Sequence, residues 1–279
     1  MQLDKLNAWL SNNNRRPLIM GILNITPDSF SDGRKFTNPS KAIEYALQME
    51  ADGADIIDIG GESTRPGAKP ISFEEETNRV IPVITGIRKR SNIVISIDTY
   101  KSGVANEAIT AGANIINDIS GMRFDINMVQ LASEFQIPVV IMHMLGNPQN
   151  MQDNPVYNDL MKNLVLFFQE RISFLKANGI KKTNIILDPG IGFGKTVDHN
   201  FTIIRELKQL ADIGFPILVG PSRKSFIGNT LNLPPEERIE GTAAAVTAAI
   251  MNGSRIVRIH DVKEMLRVVK MTEKICGIT

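Results

Sequence analysis

The sequence predicts an α/β protein with a single (β/α)8 (TIM) barrel, and two observations lead to this fold. Eight short aliphatic runs recur through the 279 residues, at about one run in every 35 residues. Stretches with the apolar spacing of amphipathic helices lie between these runs. Nearly continuous aliphatic runs are typical of strands buried on both faces, as in parallel sheets. Eight parallel βα units close most naturally into a filled barrel, although an open doubly wound sheet is an alternative.

The strands and the clearest helices can be assigned by position. Asn38 and Pro39 suit the first turn of a helix, and Ser72 with Glu75 forms the pattern of a capping box. The predicted helices are 38–52, 72–90, 157–178 and a last helix that starts at Asp261. The predicted strands are 18–24, 55–59, 93–98, 114–118, 138–143, 184–188, 216–220 and 255–259.

Two kinds of turn residue support this division of the chain. Glycine after a helix commonly adopts the left-handed conformation, and proline is tolerated at the first residue of a strand. The sequence places a glycine just before strands two, four, six and eight, and a proline at strands one, five and seven. These residues are Gly53, Gly112, Gly179 and Gly253, and Pro17, Pro138 and Pro216.

Charge and composition narrow the functional classes. The chain has 31 Lys and Arg against 30 Asp and Glu residues, which argues against binding of nucleic acid or of a membrane surface by bulk charge. The single cysteine, Cys276, excludes an intrachain disulfide and a multi-cysteine metal site. No apolar run reaches the ~18 residues of a membrane helix, and the first residues lack a secretory apolar segment, so we expect a cytoplasmic protein. No linker divides the chain, so we expect one domain over 1–279, with 1–16 packing on the barrel as an N-terminal extension.

Every predicted strand ends in a polar or ionisable residue after its apolar run. A single Asp in this position is more often a turn former or a helix cap than a catalyst, an interpretation that suits Asp58 and Asp118. Eight such ends are a stronger signal, because the carboxyl ends of barrel strands meet at one mouth where active sites lie. The residues are Asn24, Asp58, Asp98, Asn117 with Asp118, His143, Asp188, Ser222 to Lys224, and Arg258 with His260.

The chemistry of these ends indicates what they bind. Asp98, Asn117 and Asp188 offer hydrogen-bond acceptors, which suit a flat heterocycle with several N–H groups. A second set, Arg258, His260, Asn24 and Arg65, suits a phosphate or diphosphate, together with Mg²⁺. The mouth therefore favours a planar nitrogen heterocycle with a phosphorylated arm. The polar segments 26–33 and 60–71 are too rich in Gly and Pro for core, so we expect two long loops after strands one and two that act as lids.

Other catalytic motifs fail on spacing. The run GIGFGKT (190–196) resembles a phosphate-binding loop, but Pro189 stands where the motif requires glycine. It also lacks the G-x-G-x-x-G spacing of a dinucleotide site, so we interpret its glycines as allowing tight turns and close approach to a ligand. His143, His199 and His260 do not form an HExxH motif, and no G-x-S-x-G elbow is present, which argues against a zinc hydrolase and a serine hydrolase.

At these residues the chain resembles the dihydropteroate synthase family, in its monofunctional bacterial form. The strings that carry the resemblance follow one another through most of the chain: GILNITPDSFSDG, DIGGESTRPGA, ISIDTYKSG, NIINDISG, LDPGIGFGK, GPSRKSFIG, GTAAAVTAAI and RIVRIHDV. The resemblance implies a (β/α)8 barrel that condenses 6-hydroxymethyl-7,8-dihydropterin diphosphate with p-aminobenzoate. The products are 7,8-dihydropteroate and pyrophosphate. It also implies sulfonamides as competitive inhibitors and a homodimer.

The resemblance implies a role for individual residues. Asn24 would bind Mg²⁺, and the diphosphate would be bound by Asn24, Arg65, Arg258 and His260. The pterin would contact Asp98, Asn117, Met142, Asp188, Gly220 and Lys224, while p-aminobenzoate would contact Phe30, Thr64, Pro66, Phe193, Ser222 and Lys224. Catalysis would rest on Asp98, Asp188, Lys224 and Arg258, in a dissociative (SN1-like) substitution in which the loops exclude water. Pro221 stands where the family often has a small or apolar residue.

Two other functions remain open from sequence alone. A methyltetrahydrofolate-binding methyl carrier shares a pterin floor but has no use for the cationic set Arg65, Arg258 and His260. A non-catalytic pterin- or nucleotide-binding protein would share both sets of residues, and only turnover distinguishes it from an enzyme.

Overall fold

The computed structural model describes residues 1–12, 15–26, 39–65 and 67–278. Within these residues eight parallel strands form a closed barrel in chain order, and β8 pairs with β1. This closed order excludes the open doubly wound sheet. The strands are β1 Leu18–Asn24, β2 Ile56–Gly60, β3 Val94–Asp98, β4 Ile115–Asp118, β5 Val139–Met142, β6 Ile185–Asp188, β7 Ile217–Val219 and β8 Ser254–Ile259.

Helices surround the barrel and connect its strands. They are α1 Leu3–Ser11, α2 Pro39–Ala51, α3 Phe73–Arg88, α4 Ser102–Ala111, α5 Asn127–Phe135, α6 Leu160–Ala177, α7 Val197–Arg205, α8 Lys208–Ala211, α9 Ser225–Leu231, α10 Ile239–Met251 and α11 Val262–Ile275. Short 3-10 turns lie at Lys182–Asn184 and Pro235–Glu237. None of the helices in the described ranges has the length and apolar character needed to cross a membrane.

The predicted helices lie where expected, but their first turns differ in detail. Ser72 accepts a hydrogen bond from the Glu75 amide, as a cap should, whereas the Glu75 carboxylate pairs with Arg79 instead of completing a capping box. The helix predicted from 157 begins at Leu160, after the N-cap Asp159. The expected cap Asn38 lies outside the described residues.

The turn residues confirm the division into βα units. Gly53, Gly112, Gly179 and Gly253 all have positive φ, between 89° and 116°. Each lies one to six residues before the strand that follows its helix. The three prolines predicted to open strands each stand one residue before β1, β5 or β7.

The inside of the barrel changes from apolar to polar along the strands. Alternate side chains of a strand point inward, so residues two apart share the interior. The lower interior is an apolar cluster that includes Met20, Ile56, Val94, Ile115, Val140, Ile186, Leu218 and Ile256. Leu6, Trp9 and Leu10 of α1 belong to the same cluster and close the barrel at its amino-terminal end. Two residues further along β2, β3, β4, β6 and β8 stand Asp58, Ser96, Asn117, Asp188 and Arg258.

Candidate active site

Arg258 joins a fully buried carboxylate, Asp58, to a slightly exposed one, Asp98, in the upper interior of the barrel. Its Nε donates to Asp58 Oδ2 at 2.6 Å, and its Nη2 donates to Asp98 Oδ2 at 2.8 Å. Asp58 has no exposed surface. Burial opposes the charge of Arg258, but the two carboxylates outweigh it and raise the pKa of the guanidinium. The planar guanidinium therefore fixes the end of β8 against β2 and β3.

Asn117 and Asp98 stand side by side at the ends of β4 and β3. Their Cα atoms are paired in register, and Asn117 Nδ2 donates to Asp58 Oδ2 at 3.1 Å. Burial raises the pKa of the Asp98 carboxyl, and Asp58 and Glu76 add to that rise, while Arg258 opposes it. Asp58 thus holds Asn117 and Arg258 at once, which orients the amide and the guanidinium relative to each other.

Asp188 forms the opposite side of this polar interior, at the end of β6. Its Oδ1 accepts a hydrogen bond from the Gly190 amide at 2.7 Å. Burial raises the pKa of Asp188 from 3.8 to about 6, although that amide and the charges of Lys224, Arg258 and Lys195 act in the other direction. Burial also disfavours the charged form of Lys224, and it lowers the pKa of that ammonium to about 8. Asp188, Asp98 and Arg258 all act electrostatically on Lys224, so the acidic and cationic groups lie at one mouth.

Lys224 and Phe193 face each other across the mouth. Lys224 Nζ lies 4.3 Å from the centroid of the Phe193 ring, a cation–π contact. Gly192 and Gly220 line this region without side chains. A Cβ on Gly192 would lie 3.3 Å from Lys224 Cδ, and one on Gly220 would lie 3.5 Å from Arg258 Cβ. The glycines therefore leave the long cationic side chains room to extend into the mouth.

Ser222 and His260 connect the ends of β7 and β8. Ser222 Oγ accepts a hydrogen bond from the His260 amide at 3.2 Å and lies 3.0 Å from His260 Nδ1. Burial, with the charge of Arg258, lowers the pKa of His260 to about 3, so the imidazole is neutral at pH 7. Between Ser222 and Lys224, Arg223 adopts a positive φ of 57° and its guanidinium pairs with Asp261. This pairing occupies the Asp261 carboxylate, which explains why Asp261 does not cap α11 with its side chain.

The other predicted residues lie around this centre. Met142 is buried at the end of β5, in a small apolar cluster with Met144 and Met151. Asn24 ends β1 and is partly exposed, as is Thr64, while Arg65 is exposed on the loop after β2. Phe30 and Pro66 lie outside the described residues, as does most of the first predicted lid.

A space between Asn24 and Asp98 bears on the expected Mg²⁺. A Cβ placed on Gly60 would fill it, at 3.6 Å from Asn24 Oδ1 and 3.7 Å from Asp98 Oδ2. Throughout the described chain no three His, Cys, Asp or Glu side chains form a metal-binding group. The residues present therefore fit an ion that takes one amide oxygen here and its other ligands from water and a bound diphosphate, which is how Mg²⁺ is usually held.

Two residues in the site were not assigned from sequence. Asp58, interpreted as a possible turn former, lies within β2 and organises Asn117 and Arg258. Its position two residues after the inward-facing Ile56 is the signal that could have revealed this. Lys195 is part of a glycine-rich loop in the sequence, yet its side chain is buried and its Nζ lies 3.1 Å from His143 Nδ1. The sequence carries no signal that a lysine after three glycines turns inward.

Comparison with known proteins identifies the family. Residues 20–260 match the family described as "Pterin binding enzyme". The chain is 48% identical over 260 residues to the dihydropteroate synthase of Synechocystis sp., covering 93% of this chain and 90% of that protein. It is 49% identical over 258 residues to that of Bacillus subtilis, covering 92% and 88%.

Solved structures agree with the sequence comparison. A Yersinia pestis dihydropteroate synthase in complex with a sulfonamide drug superposes with a TM-score of 0.90, at 45% identity and coverage of 94% of this chain and 95% of that chain. The Xanthomonas albilineans enzyme with 4-aminobenzoic acid superposes with a TM-score of 0.88, at 38% identity and coverage of 95% and 94%. Family match, relatives and fold coincide over the whole barrel, and the chain belongs to the dihydropteroate synthase family of pterin-binding enzymes.

Proposed function

We propose that the mouth of this barrel condenses 6-hydroxymethyl-7,8-dihydropterin diphosphate with p-aminobenzoate to give 7,8-dihydropteroate and pyrophosphate. The observation that carries the proposal is the bridge from Arg258 to Asp58 and Asp98, beside Lys224 and Asp188. It supports a site in which an acidic side receives a heterocycle and a cationic side receives its leaving group. The proposal treats residues 1–279 as one pterin-binding domain, with 1–16 as an extension packed on the barrel.

The pterin ring would lie in the buried part of the site. Asp188, Asn117 and Asp98 offer oxygens from three strands to its N–H groups, and Lys224 can donate to its carbonyl oxygen. Met142 and Gly220 would line the slot for the ring. Because these polar groups are buried, a ring that leaves them without partners would bind much more weakly, which gives specificity for a pterin.

The diphosphate would lie at the outer, cationic side of the mouth. Arg258, Arg65 and the neutral His260 would donate hydrogen bonds to its oxygens, and Asn24 would hold Mg²⁺. Magnesium, when bound, neutralises part of the charge that the diphosphate gains as it leaves. Arg258 has a second task here, because it also orients the Asp98 carboxylate and opposes its protonation.

Departure of the diphosphate breaks the C–O bond of the pterin methylene, and the bonding electrons leave with the diphosphate. A cation remains at the methylene, delocalised into the ring, and the Asp98 carboxylate stabilises it by charge. The arylamine nitrogen then forms the C–N bond and releases a proton to solvent or pyrophosphate. The amine is weakly basic and neutral at pH 7, so the dissociative path needs no strong general base.

Residues of the outer pocket would hold p-aminobenzoate. Phe193 and the stem of Lys224 offer a flat contact, and Ser222 and Thr64 offer hydrogen bonds, with Phe30 and Pro66 completing the pocket. The 4-aminobenzoic acid and sulfonamide complexes of the Xanthomonas and Yersinia relatives support this part of the proposal. Sulfonamides would then compete with p-aminobenzoate in this chain as well. The homodimer and the cytoplasmic location remain predictions.

The test is release of pyrophosphate that depends on added p-aminobenzoate. We expect turnover with both substrates in the wild type. We expect Asp188→Ala to weaken pterin binding by about 100-fold or more, because a buried charged acceptor is lost, while the protein remains folded. Asp212→Ala, on the exposed surface, is the control. Pyrophosphate release without p-aminobenzoate, or unchanged pterin affinity in a folded Asp188→Ala protein, would contradict the proposal.

A further inference from the structure

The loop between β6 and α7, residues 189–196, has three consecutive carbonyl groups that each accept a hydrogen bond from a side chain. Gln152 Nε2 donates to the Gly192 oxygen at 2.7 Å. Lys195 Nζ donates to the Phe193 oxygen at 2.9 Å, and the Tyr157 hydroxyl donates to the Gly194 oxygen at 2.7 Å. Phe193, the residue that faces Lys224, therefore stands at the centre of a backbone segment held by three side-chain donors.

The donors join this loop to the neighbouring β5–α6 loop, residues 143–159. Gln152 and Tyr157 belong to that loop. Lys195 also donates to the His143 backbone oxygen at 3.2 Å, and its Nζ lies 3.1 Å from His143 Nδ1. Burial lowers the pKa of His143 to about 2, so its neutral ring can accept from the ammonium at Nδ1. Lys195 is 3% exposed, and burial lowers the pKa of its amino group to about 7, so the backbone and imidazole acceptors replace only part of the hydration that the charged form loses. The amino group can donate these hydrogen bonds in either protonation state.

The glycines of the loop explain why such donors are needed. Gly190, Gly192 and Gly194 have φ values of 70°, 79° and 63°. Glycine allows this folded path but gives it little preference over others, so the sequence GIGFGK alone does not fix the direction of the Phe193 ring. Contacts with the neighbouring β5–α6 loop must do so. Gln152 and Tyr157 bond two carbonyls directly from that loop, and Lys195 links the Phe193 carbonyl to the His143 carbonyl.

We propose that Gln152, Tyr157 and Lys195 are positioning residues, which act through the backbone of Phe193 to set the p-aminobenzoate pocket. The inference rests on the proposed function in one respect, the contact between Phe193 and p-aminobenzoate. Gln152 and Tyr157 bond the Gly192 and Gly194 carbonyls, whereas the amide that donates to the pterin acceptor Asp188 is that of Gly190. The other pterin acceptors, Asp98 and Asn117, lie on other strands. Loss of the donor to the Gly192 or Gly194 carbonyl therefore weakens the p-aminobenzoate contact and leaves the Gly190 amide bonded to Asp188.

Gln152→Leu and Tyr157→Phe test this, because each removes a hydrogen bond and nearly preserves shape. We expect KM for p-aminobenzoate to rise about five- to tenfold, the effect of one lost hydrogen bond. We expect kcat and the pterin affinity to change less than twofold, because the lost contact stabilises p-aminobenzoate equally in the bound complex and in the transition state. Hydrogen exchange of the segment 189–196 should become faster in both variants. Gln209→Leu removes an exposed amide that donates a hydrogen bond to Glu206, away from this loop, and serves as the control.

A double-mutant cycle with Phe193→Ala shows whether the effect passes through the ring. In that background Gln152→Leu should have no further effect on KM. An undiminished effect, an equal loss of pterin affinity, or unchanged exchange and KM in both single variants would overturn the inference. A different outcome is faster exchange in the single variants together with an unchanged KM for p-aminobenzoate in Phe193→Ala. That result would contradict the placement of p-aminobenzoate against Phe193 in the proposed function, and it would also remove the link from these donors to the substrate.

Discussion

At the scale of single residues, the site is a set of charges in which burial and pairing act against each other. Asp58, Asp98 and Asp188 face Arg258 and Lys224. Burial raises the pKa values of Asp98 and Asp188 and lowers that of Lys224. In the free protein Asp98 and Asp188 therefore have a high affinity for protons, which a ligand rich in N–H groups can satisfy.

Pterin binding should depend on pH through Asp188. Its pKa of about 6 means that the carboxylate becomes protonated as the pH falls below 6 and then loses acceptor capacity. Through Asp188 we expect the dissociation constant for a pterin to rise about tenfold per pH unit below 6. Asp98, whose pKa burial raises to about 7, and Lys224 add changes of their own between pH 7 and 8. Isothermal titration calorimetry measures this. Asp188→Asn should bind weakly and lack this dependence; a variant that retains the same pH midpoint would assign the titration to another group.

The same group affects stability with the opposite sense. Since the pKa of Asp188 is raised from 3.8 to about 6 in the folded state, its contribution is fully present below pH 4 and is lost as the pH rises through 6. The shift corresponds to about 3 kcal/mol. Urea unfolding of the wild type and of Asp188→Asn at pH 4.5 and 7.5 measures this contribution. The free energy of unfolding of the variant minus that of the wild type should be larger at pH 7.5 than at pH 4.5.

The sequence could locate the ends of the strands but not the pairing among their side chains. Asp98, Asn117, Asp188 and Arg258 follow aliphatic runs, and barrel topology brings such positions together. That Arg258 takes Asp58 as well as Asp98 depends on the register between strands far apart in the chain, which no local pattern contains.

At the scale of elements, strands supply the fixed polar side chains and glycine-rich loops bring backbone close to them. Gly190 shows why glycine is required. A Cβ there would lie 2.1 Å from the His143 carbonyl oxygen, and its φ is 70°. The Gly190 amide also donates to Asp188. This one position thus combines a left-handed turn, contact between two loops and the orientation of a site carboxylate.

Gly190→Ala and Gly214→Ala form a matched pair that separates contact from backbone strain. Gly214 has a φ of 90°, and a Cβ there would meet nothing within 4 Å. We expect Gly214→Ala to cost about 1–2 kcal/mol, the price of a left-handed alanine, and leave turnover unchanged. Gly190→Ala should cost several kcal/mol and weaken pterin binding, because the loop must move. Thermal unfolding and pterin titration measure both; equal losses in the two variants would refute the role of the contact.

Elements were predictable where a local rule fixes them. The four glycines before even-numbered strands and the three prolines before β1, β5 and β7 mark boundaries that the backbone alone imposes. The first turns of helices were less predictable, since their side chains have competing partners: Glu75 pairs with Arg79, and Asp261 pairs with Arg223.

At the scale of the whole molecule, the barrel separates stability from chemistry along its axis. The lower interior is an apolar cluster completed by Leu6, Trp9 and Leu10 of α1. The polar groups of the site begin one interior layer above it. A change in the lower layer should therefore alter the free energy of unfolding without altering the site.

Leu6→Ala tests this separation. Leu6 is completely buried, so its truncation should reduce stability by about 2–5 kcal/mol. The KM values of both substrates should stay within twofold of the wild type. Leu3→Ala, at an exposed position of the same helix, should have little effect on either quantity. Urea unfolding and steady-state kinetics provide the measurements, and a selective rise in one KM would show that the floor and the mouth are coupled.

The closed amino-terminal end of the barrel determines how ligands enter and leave the site. With α1 sealing the lower end, whatever reaches Asp188 and Asn117 passes the shallower region of Thr64 and Phe193, and it must return by the same route. A ligand bound near Thr64 and Phe193 therefore blocks the dissociation of a ligand already bound near Asp188 and Asn117. An unreactive analogue of p-aminobenzoate would consequently lengthen the residence time of the bound pterin diphosphate. Such an inhibitor would become more potent as the pterin diphosphate accumulates.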